Sequence, residues 1–284
     1  MKYQGQTFET ERALYAVRDA EVDQCTFISE IGESPLKEAR NIQVSNSRFL
    51  IRYPFWHNQK TSVTSTYFGP TCRAPFWYDE EVSLSNCTIE GVKAFREASK
   101  IKITESKITS EEFGWFLHDV LLSDVILEGM YAFFGSTNLE INNLTFKGKY
   151  SFQYVKNAVI KNANLDTKDA FWHTENVTVI DSVINGEYLG WYAKNLRLIN
   201  CVIKGTQPLC YSENVILENC QMLDADLAFE YSSVEADIKS EMISIKNPLT
   251  GHIRVKKVGE IILDENRRDE NLEITEGEVS DGTK

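Results

Sequence analysis

Glu81-Val82-Ser83-Leu84-Ser85-Asn86-Cys87-Thr88-Ile89 aligns with Asn195-Leu196-Arg197-Leu198-Ile199-Asn200-Cys201-Val202-Ile203, and the same grammar recurs along the chain. Taken from its first apolar residue, the unit starts at Val82, Ile101, Val120, Leu139, Ala158, Val177, Leu196, Val215 and Val234, eight intervals of nineteen residues. Upstream, Val63 keeps the interval, while Ile42 and Ala20 stand twenty-one and twenty-two residues before the next start, with an insertion around residues 30–34. Twelve units therefore span roughly residues 20–250, and a period of this length marks a stacked repeat.

Within a unit, apolar residues alternate at the start (Val82/Leu84), as on a strand. Asn or Asp follows at 46, 86, 124, 143, 162, 181, 200 and 219, residue types that tolerate left-handed backbone angles and suit a sharp bend. A second alternation comes next (Cys87/Ile89, Cys201/Ile203), often followed by Gly, as at 91, 129, 148, 186 and 205, which marks a second bend. An aromatic segment then leads to a return turn and another Asn, at 138, 157, 176, 195 and 214. Three short strands and three bends describe one coil of a parallel β-helix. A leucine-rich repeat would carry its own Leu/Asn consensus and a helical half, and neither is present. The fold class is thus all-β, a right-handed single-stranded parallel β-helix of about twelve coils.

One coil cannot bury its own core, so both ends need closing. Residues 1–19 are expected to form an N-terminal cap, with 12–15 as a preliminary strand, and 20–250 the β-helix. Residues 251–284 should supply shorter closing strands and an acidic tail, all as one structural domain. Residues 264–284 hold eight acids and three bases, so they carry −5 of the chain's −12 as a solvated tail or a loosely attached last strand.

Three strings narrow the reading further: Arg52-Tyr53-Pro54-Phe55-Trp56-His57, Lys168-Asp169-Ala170-Phe171-Trp172-His173 and Gly205-Thr206-Gln207-Pro208-Leu209-Cys210-Tyr211. The Asn-ladder coil resembles the pectin-lyase-like superfamily, and these strings resemble the bacterial DUF3737 family over nearly the whole chain. The resemblance implies the fold and a bacterial origin, and it implies no chemistry.

The formal charge of −12 excludes non-specific nucleic-acid binding, which needs a basic face to displace counterions. No apolar run approaches a membrane span of ~18 residues, and residues 1–20 lack a signal-peptide pattern. With six Cys in 284 residues, a disulfide framework is not indicated, and a cytoplasmic location with free thiols is expected. Four of them (Cys25, Cys87, Cys201, Cys220) share one column with Ser47, Ser106 and Ser182, read as a small inward stack. No metal site and no cofactor is expected, because no His/Cys cluster has ligand spacing.

The candidate functional face is the third segment. Phe55, Phe76, Phe95, Phe133, Phe152 and Phe171 form one column, free of charged residues and therefore inward. One place on lie all five Trp (Trp56, Trp77, Trp115, Trp172, Trp191) with Arg96, Phe134, Gln153, Cys210 and Phe229. Since this column admits Arg and Gln, and neighbouring strand positions face opposite ways, it reads as an outward or groove-lining face. His57, Tyr78, Glu97, Phe116, Tyr154, His173, Tyr192 and Tyr211 run beside it. If outward, the rings offer flat faces to a linear saccharide, with Arg96 sandwiched between Trp77 and Trp115, a cation–π contact worth roughly 0.5–2 kcal/mol.

The expected ligand-binding residues are Trp56, Trp77, Tyr78, Arg96, Trp115, Trp172, His173, Trp191 and Tyr192. Arg52 and Arg73 join Arg96 for a small anionic ligand or an anionic sugar. A competing structural reading makes the aromatic strip a shield for the third sheet or an interface between copies of the chain, hence a scaffold. An enzymatic alternative, a glycoside hydrolase or lyase-like protein, would draw on Glu97, Glu112, His57 or Asp169, since glycoside hydrolysis needs two carboxylates. These groups read equally as solvated charge pairs.

Overall fold

Residues 1–279 are described by a computed structural model, and every regular element among them is a β-strand. The chain divides into two compact units, Met1–Thr145 and Phe146–Lys284, each built from the same coil, with about fourteen turns of ~19 residues counted over both. The expectation of a parallel β-solenoid holds.

In the first unit, Glu80–Ser85 lies parallel to Gln59–Thr64 and Ser99–Thr104, with Val82 against Thr61 and Ile101. In the second, Ala158, Val177 and Leu196 align on Lys156–Lys161, Glu175–Ile180 and Lys194–Ile199. A second ladder follows the Asn bend, where Leu165, Ile184 and Ile203 stack inward.

The bends follow from the residues placed there. All eight Asn/Asp of the first set, and all five of the second, have positive φ between 49° and 58°. Their side chains also bond along the stack: the Asn200 amide donates to Asp181 at 2.8 Å, and the Asn219 amide to Asn200 at 2.7 Å. At the second bend Gly is required by close approach, for a Cβ on Gly186 would lie 1.4 Å from the carbonyl oxygen of Thr167.

Phenylalanines fill the interior in parallel stacks, as Phe27–Phe49 at 4.6 Å and Phe152–Phe171 at 4.9 Å. The cysteine column is inward, and all six Cys are free and buried. Its polar members have a task. Ser47, Ser106 and Ser182 accept the backbone N–H of Cys25, Cys87 and Ala163 at 3.0–3.1 Å, satisfying donors that the bend turns inward.

Four details depart from the sequence reading. Val82 aligns with Thr61 and not Val63, so the nineteen-residue interval separates Ile42 from Thr61, and the two extra residues fall in the following coil. Thr61 occupies an inward position that an apolar criterion passes over. Residues 1–19 form a first coil in register, Lys2–Gln4 pairing with Arg18–Asp23 and Thr7–Phe8 with Thr26–Glu33, while 12–15 are turn with Arg12 and Leu14 left-handed. The third segment keeps coil-to-coil hydrogen bonds but is extended only at Phe55–Trp56 and Phe76–Trp77, with isolated bridges through Arg96. Near the C-terminus the coil shortens, Ser233 aligning with Thr250 and Glu241 with Lys257, and Leu272–Glu276 closes the stack. The end of the acidic tail, 280–284, lies outside the described residues.

Candidate functional site

The third segment alternates left-handed residues. Asp169, Phe171 and His173 have φ near 55–60°, as do Tyr188 and Tyr192 around Gly190. This backbone still bonds to neighbouring coils: Phe171 N–H donates to Ser151 at 3.0 Å and His173 N–H to Trp191 at 2.9 Å. It turns Phe171 fully inward, leaves Trp172 half-buried and exposes His173. The Phe column is thus core, and the five Trp with Arg96 and Gln153 lie half-buried on the outside. Cys210 and Phe229 leave the pattern. Both are fully buried: Cys210 keeps the register of the Trp column, its carbonyl accepting the Tyr192 N–H, whereas a one-residue drift carries Phe229 into the inward place beside Ala228.

In the second unit the rings form two adjacent ladders. Trp172 and Trp191 stack at 5.3 Å with planes 6° apart. Beside them Tyr154, His173, Tyr192 and Tyr211 stack at 4.8, 4.9 and 5.2 Å, at 9°, 7° and 17°. Tyr231 continues the row at 5.9 Å, tilted by 43°. This geometry corrects the expectation of flat faces open to a ligand. Near-parallel planes on successive rungs turn the faces onto each other, so outward the ladder presents ring edges: tyrosine hydroxyls and an imidazole. Tyr154 and Tyr192 are 46% and 43% exposed.

The indoles are also structural. Trp115, Trp172 and Trp191 each donate Nε1–H to a carbonyl of the next coil, those of Tyr131, Tyr188 and Gln207, at 2.6–2.8 Å. Trp56 and Trp77 stack at 5.5 Å and 9°, but neither indole N–H has a partner. Tyr78 lies against Trp77 at 5.3 Å, and the Lys37 ammonium stands 3.8 Å over Trp56.

The charged candidates are dispersed. The Arg96 guanidinium covers Trp115 at 4.9 Å, one side of the expected sandwich, and its charge meets Glu112 at 3.4 Å and Glu97 at 3.7 Å. Lys93 pairs with Glu112 at 2.9 Å, so two cations neutralise Glu97 and Glu112, two of the three carboxylates considered for catalysis. Arg52 pairs with Glu33 at 3.5 Å. Arg73 follows Arg52 in the same column, one coil on, whereas Arg96 belongs to the Trp column, so the three arginines do not form one patch. His57 pairs with Glu38 at 3.0 Å. Asp169 is buried, and desolvation pushes its carboxyl above the usual range despite Lys168 and Lys149 nearby. Lys168 itself bonds Glu187 at 2.8 Å. Among the described residues no group of three His, Cys, Asp or Glu is gathered as metal ligands.

Two features escape the repeat alone. Tyr231 joins the ladder only because of the one-residue drift near Phe229. Asn58 and Asp79 are buried in a column otherwise made of Ser, Thr, Ala, Val and Leu, where their polarity is the signal.

A family model described as "Protein of unknown function (DUF3737)" matches residues 1–275. No curated protein sequence matches. Solved structures similar to the chain include the Streptococcus pneumoniae surface protein and adhesin PfbA, 7% identical over 96% of this chain and 91% of that one, TM-score 0.41. Others are a Thermotoga maritima exopolygalacturonase (8% identity, 95% and 84% coverage, TM-score 0.33) and a mannuronic acid specific family 6 lyase from human gut microbiota (8%, 88% and 86%, TM-score 0.34). These likenesses are too remote to bear on activity.

Proposed function

This chain belongs to the DUF3737 family of proteins of unknown function, and we propose from its own surface that it is a non-catalytic binding module for a saccharide-like, polyhydroxylated chain. The observation that carries this is the edge-on ladder Tyr154–His173–Tyr192–Tyr211, which repeats a hydrogen-bonding group once per coil. A ligand suits it when its own hydroxyls recur at about the coil rise, ~4.8 Å. Ring edges favour hydrogen bonds to hydroxyls over stacking on sugar faces. The net charge of −12 disfavours a nucleic-acid chain as the occupant.

The test is calorimetric titration of the full chain with cellohexaose (neutral) and hexagalacturonate (anionic). Tyr154→Ala/Tyr192→Ala should weaken binding by at least tenfold with a small loss of stability, since both side chains are nearly half exposed. Unchanged affinity in the double variant overturns the proposal. So does absence of binding together with a solution mass of two or more chains, which would assign the face to a subunit interface.

A second, enzymatic reading has one observation in its favour: Asp169 is a buried carboxyl raised by desolvation, the property of a general acid. It shifts the enzymatic alternative away from Glu97 and Glu112, which are ion-paired. Turnover of either hexasaccharide that Asp169→Asn abolishes would establish it.

A further inference from the structure

The row of rings in the second unit ends at Tyr231, and residues 264–271 pass over that end. The Arg268 guanidinium stands 5.0 Å over the Tyr231 ring, and the Tyr231 hydroxyl donates to the Asn266 carbonyl at 3.1 Å. Below the same segment, Asn247 is fully buried. Its amide makes a two-point contact with Asp264, Nδ2–H donating to the carboxylate at 2.9 Å and Oδ1 accepting the Asp264 N–H at 3.2 Å. Next to this contact Glu230 joins the Tyr211 hydroxyl at 3.1 Å and Lys246 at 2.8 Å.

The covering segment reads Asp264-Glu265-Asn266-Arg267-Arg268-Asp269-Glu270-Asn271, eight polar residues in succession. No apolar side chain anchors it. It is held by polar contacts that water can replace, while its ends are fixed by Asn247 N–H on Ile262 at 2.9 Å and Glu270 N–H on Leu249 at 2.8 Å. A segment with few, partly exposed hydrogen bonds and no buried apolar contact opens at a free energy below that of global unfolding. The groups beneath it are of the opposite kind: a buried amide, a tyrosine ring and a half-buried Glu–Lys pair.

We propose that residues 264–271 are a displaceable strap, and that Tyr231, Asn247, Glu230 and Lys246 beneath it form a terminal subsite of the tyrosine ladder. The subsite rests on the saccharide-binding reading of that ladder. Its chemistry follows from what the strap supplies to Asn247: one acceptor and one donor side by side. A ligand that replaces Asp264 must offer the same pair, and two adjacent hydroxyls on a sugar ring do so. Lys246 and Glu230 then meet further hydroxyls, and the Tyr231 face, freed of Arg268, takes the apolar face of the ring.

Two measurements on the full chain test this. Tryptic cleavage after Arg267 and Arg268 reports opening, and Asp264→Ala should speed it about tenfold. Calorimetry with cellohexaose reports the subsite, and Asp264→Ala should bind five- to tenfold more tightly than the unmodified protein. Arg268→Ala, which leaves the Asn247–Asp264 contact in place, should show a smaller gain. Unchanged cleavage in Asp264→Ala shows that the segment is no strap. Faster cleavage with unchanged affinity shows that nothing beneath it binds sugar, and the ladder reading then survives by itself if the unmodified protein binds. Binding by neither protein overturns both.

Discussion

The backbone N–H of Asn58 donates to the carboxylate of Asp79 at 2.7 Å inside the first unit, and both side chains are buried. Elsewhere in this column a serine makes the same contact and uses its remaining hydrogen. Ser136 accepts from Leu117 N–H at 2.9 Å and donates to the Gly114 carbonyl at 2.6 Å. Asp79 has one oxygen too many, and its Oδ2 has no partner. Burial pushes this carboxyl well above its ordinary range. For a group whose pKa is raised on folding, stability is full below the unfolded-state pKa and is lost as pH rises through the folded value. Asp79→Asn keeps the acceptor for Asn58 N–H and cannot ionise, so it should raise stability at pH 7–8. The gain should shrink toward pH 4. Denaturant titrations at the two pH values measure it, and a variant weaker than the native chain at pH 8 would show that the carboxylate is paired.

Asp264 has the opposite sign. The Asn247 amide, and then the Asn266 N–H, hold its carboxyl below the ordinary value of 3.8. Its contribution is present above that value and is lost as pH falls through the lower, folded one. Hydrogen exchange in residues 264–271 should accelerate selectively below about pH 4, the reference range for Asp, while the strands of the second unit stay protected. Equal acceleration throughout that unit would tie the segment to global unfolding.

The two tryptophan environments separate packing from hydrogen bonding. Trp115 donates its indole N–H to Tyr131 at 2.8 Å, whereas the Trp77 indole N–H has no partner. Replacement by Phe removes the N–H from both and keeps an aromatic ring. Trp115→Phe should cost about 1 kcal/mol more than Trp77→Phe, the net worth of one hydrogen bond. Equal losses by chemical denaturation would mean that ring area alone decides.

The repeat made the coil legible because stacking puts equivalent residues at equal intervals, and Asn at its bends announced the left-handed conformation that Asn200, with φ of 53°, adopts. Periodicity was less informative where chemistry broke it. Thr61 fills an inward place while being polar, so an apolar search moves to Val63. The Phe and Trp columns were separable by composition, since an inward column excludes Arg96 and Gln153. The orientation of the ring planes was not, because column membership says which residues are neighbours and nothing of their χ angles. Tyr231 and Asp79 lie where the coil gains residues, and there column counting no longer matches structure.

Asn200 tests how much the bend depends on residue type. Its amide donates to Asp181 at 2.8 Å and its carbonyl oxygen accepts from Asn219 at 2.7 Å. Asn200→Ala removes both contacts and places a Cβ-bearing residue with no local hydrogen bond in the left-handed region, at a cost of about 1–2 kcal/mol from conformation alone. Asn200→Gly loses the same two contacts without the conformational penalty, so it should be the milder change. If glycine is as damaging as alanine in thermal unfolding, the exposed amide ladder is the main stabiliser of this bend and the backbone angle is secondary.

The buried thiols should be chemically silent. Burial pushes Cys87 up to about 11 and Cys72 and Cys210 up to about 12, leaving almost no thiolate at neutral pH. Cys201 and Cys220 sit on adjacent rungs and share a hydrogen bond, which lowers Cys201 and raises Cys220. The nucleophile of an alkylation is the thiolate, so any reaction has to start from local opening. At pH 8 iodoacetamide should leave all six Cys unmodified in the native protein and label all six in denaturant. Mass spectrometry of quenched time points follows the labelling. Rapid labelling of any thiol in the native protein would contradict its burial.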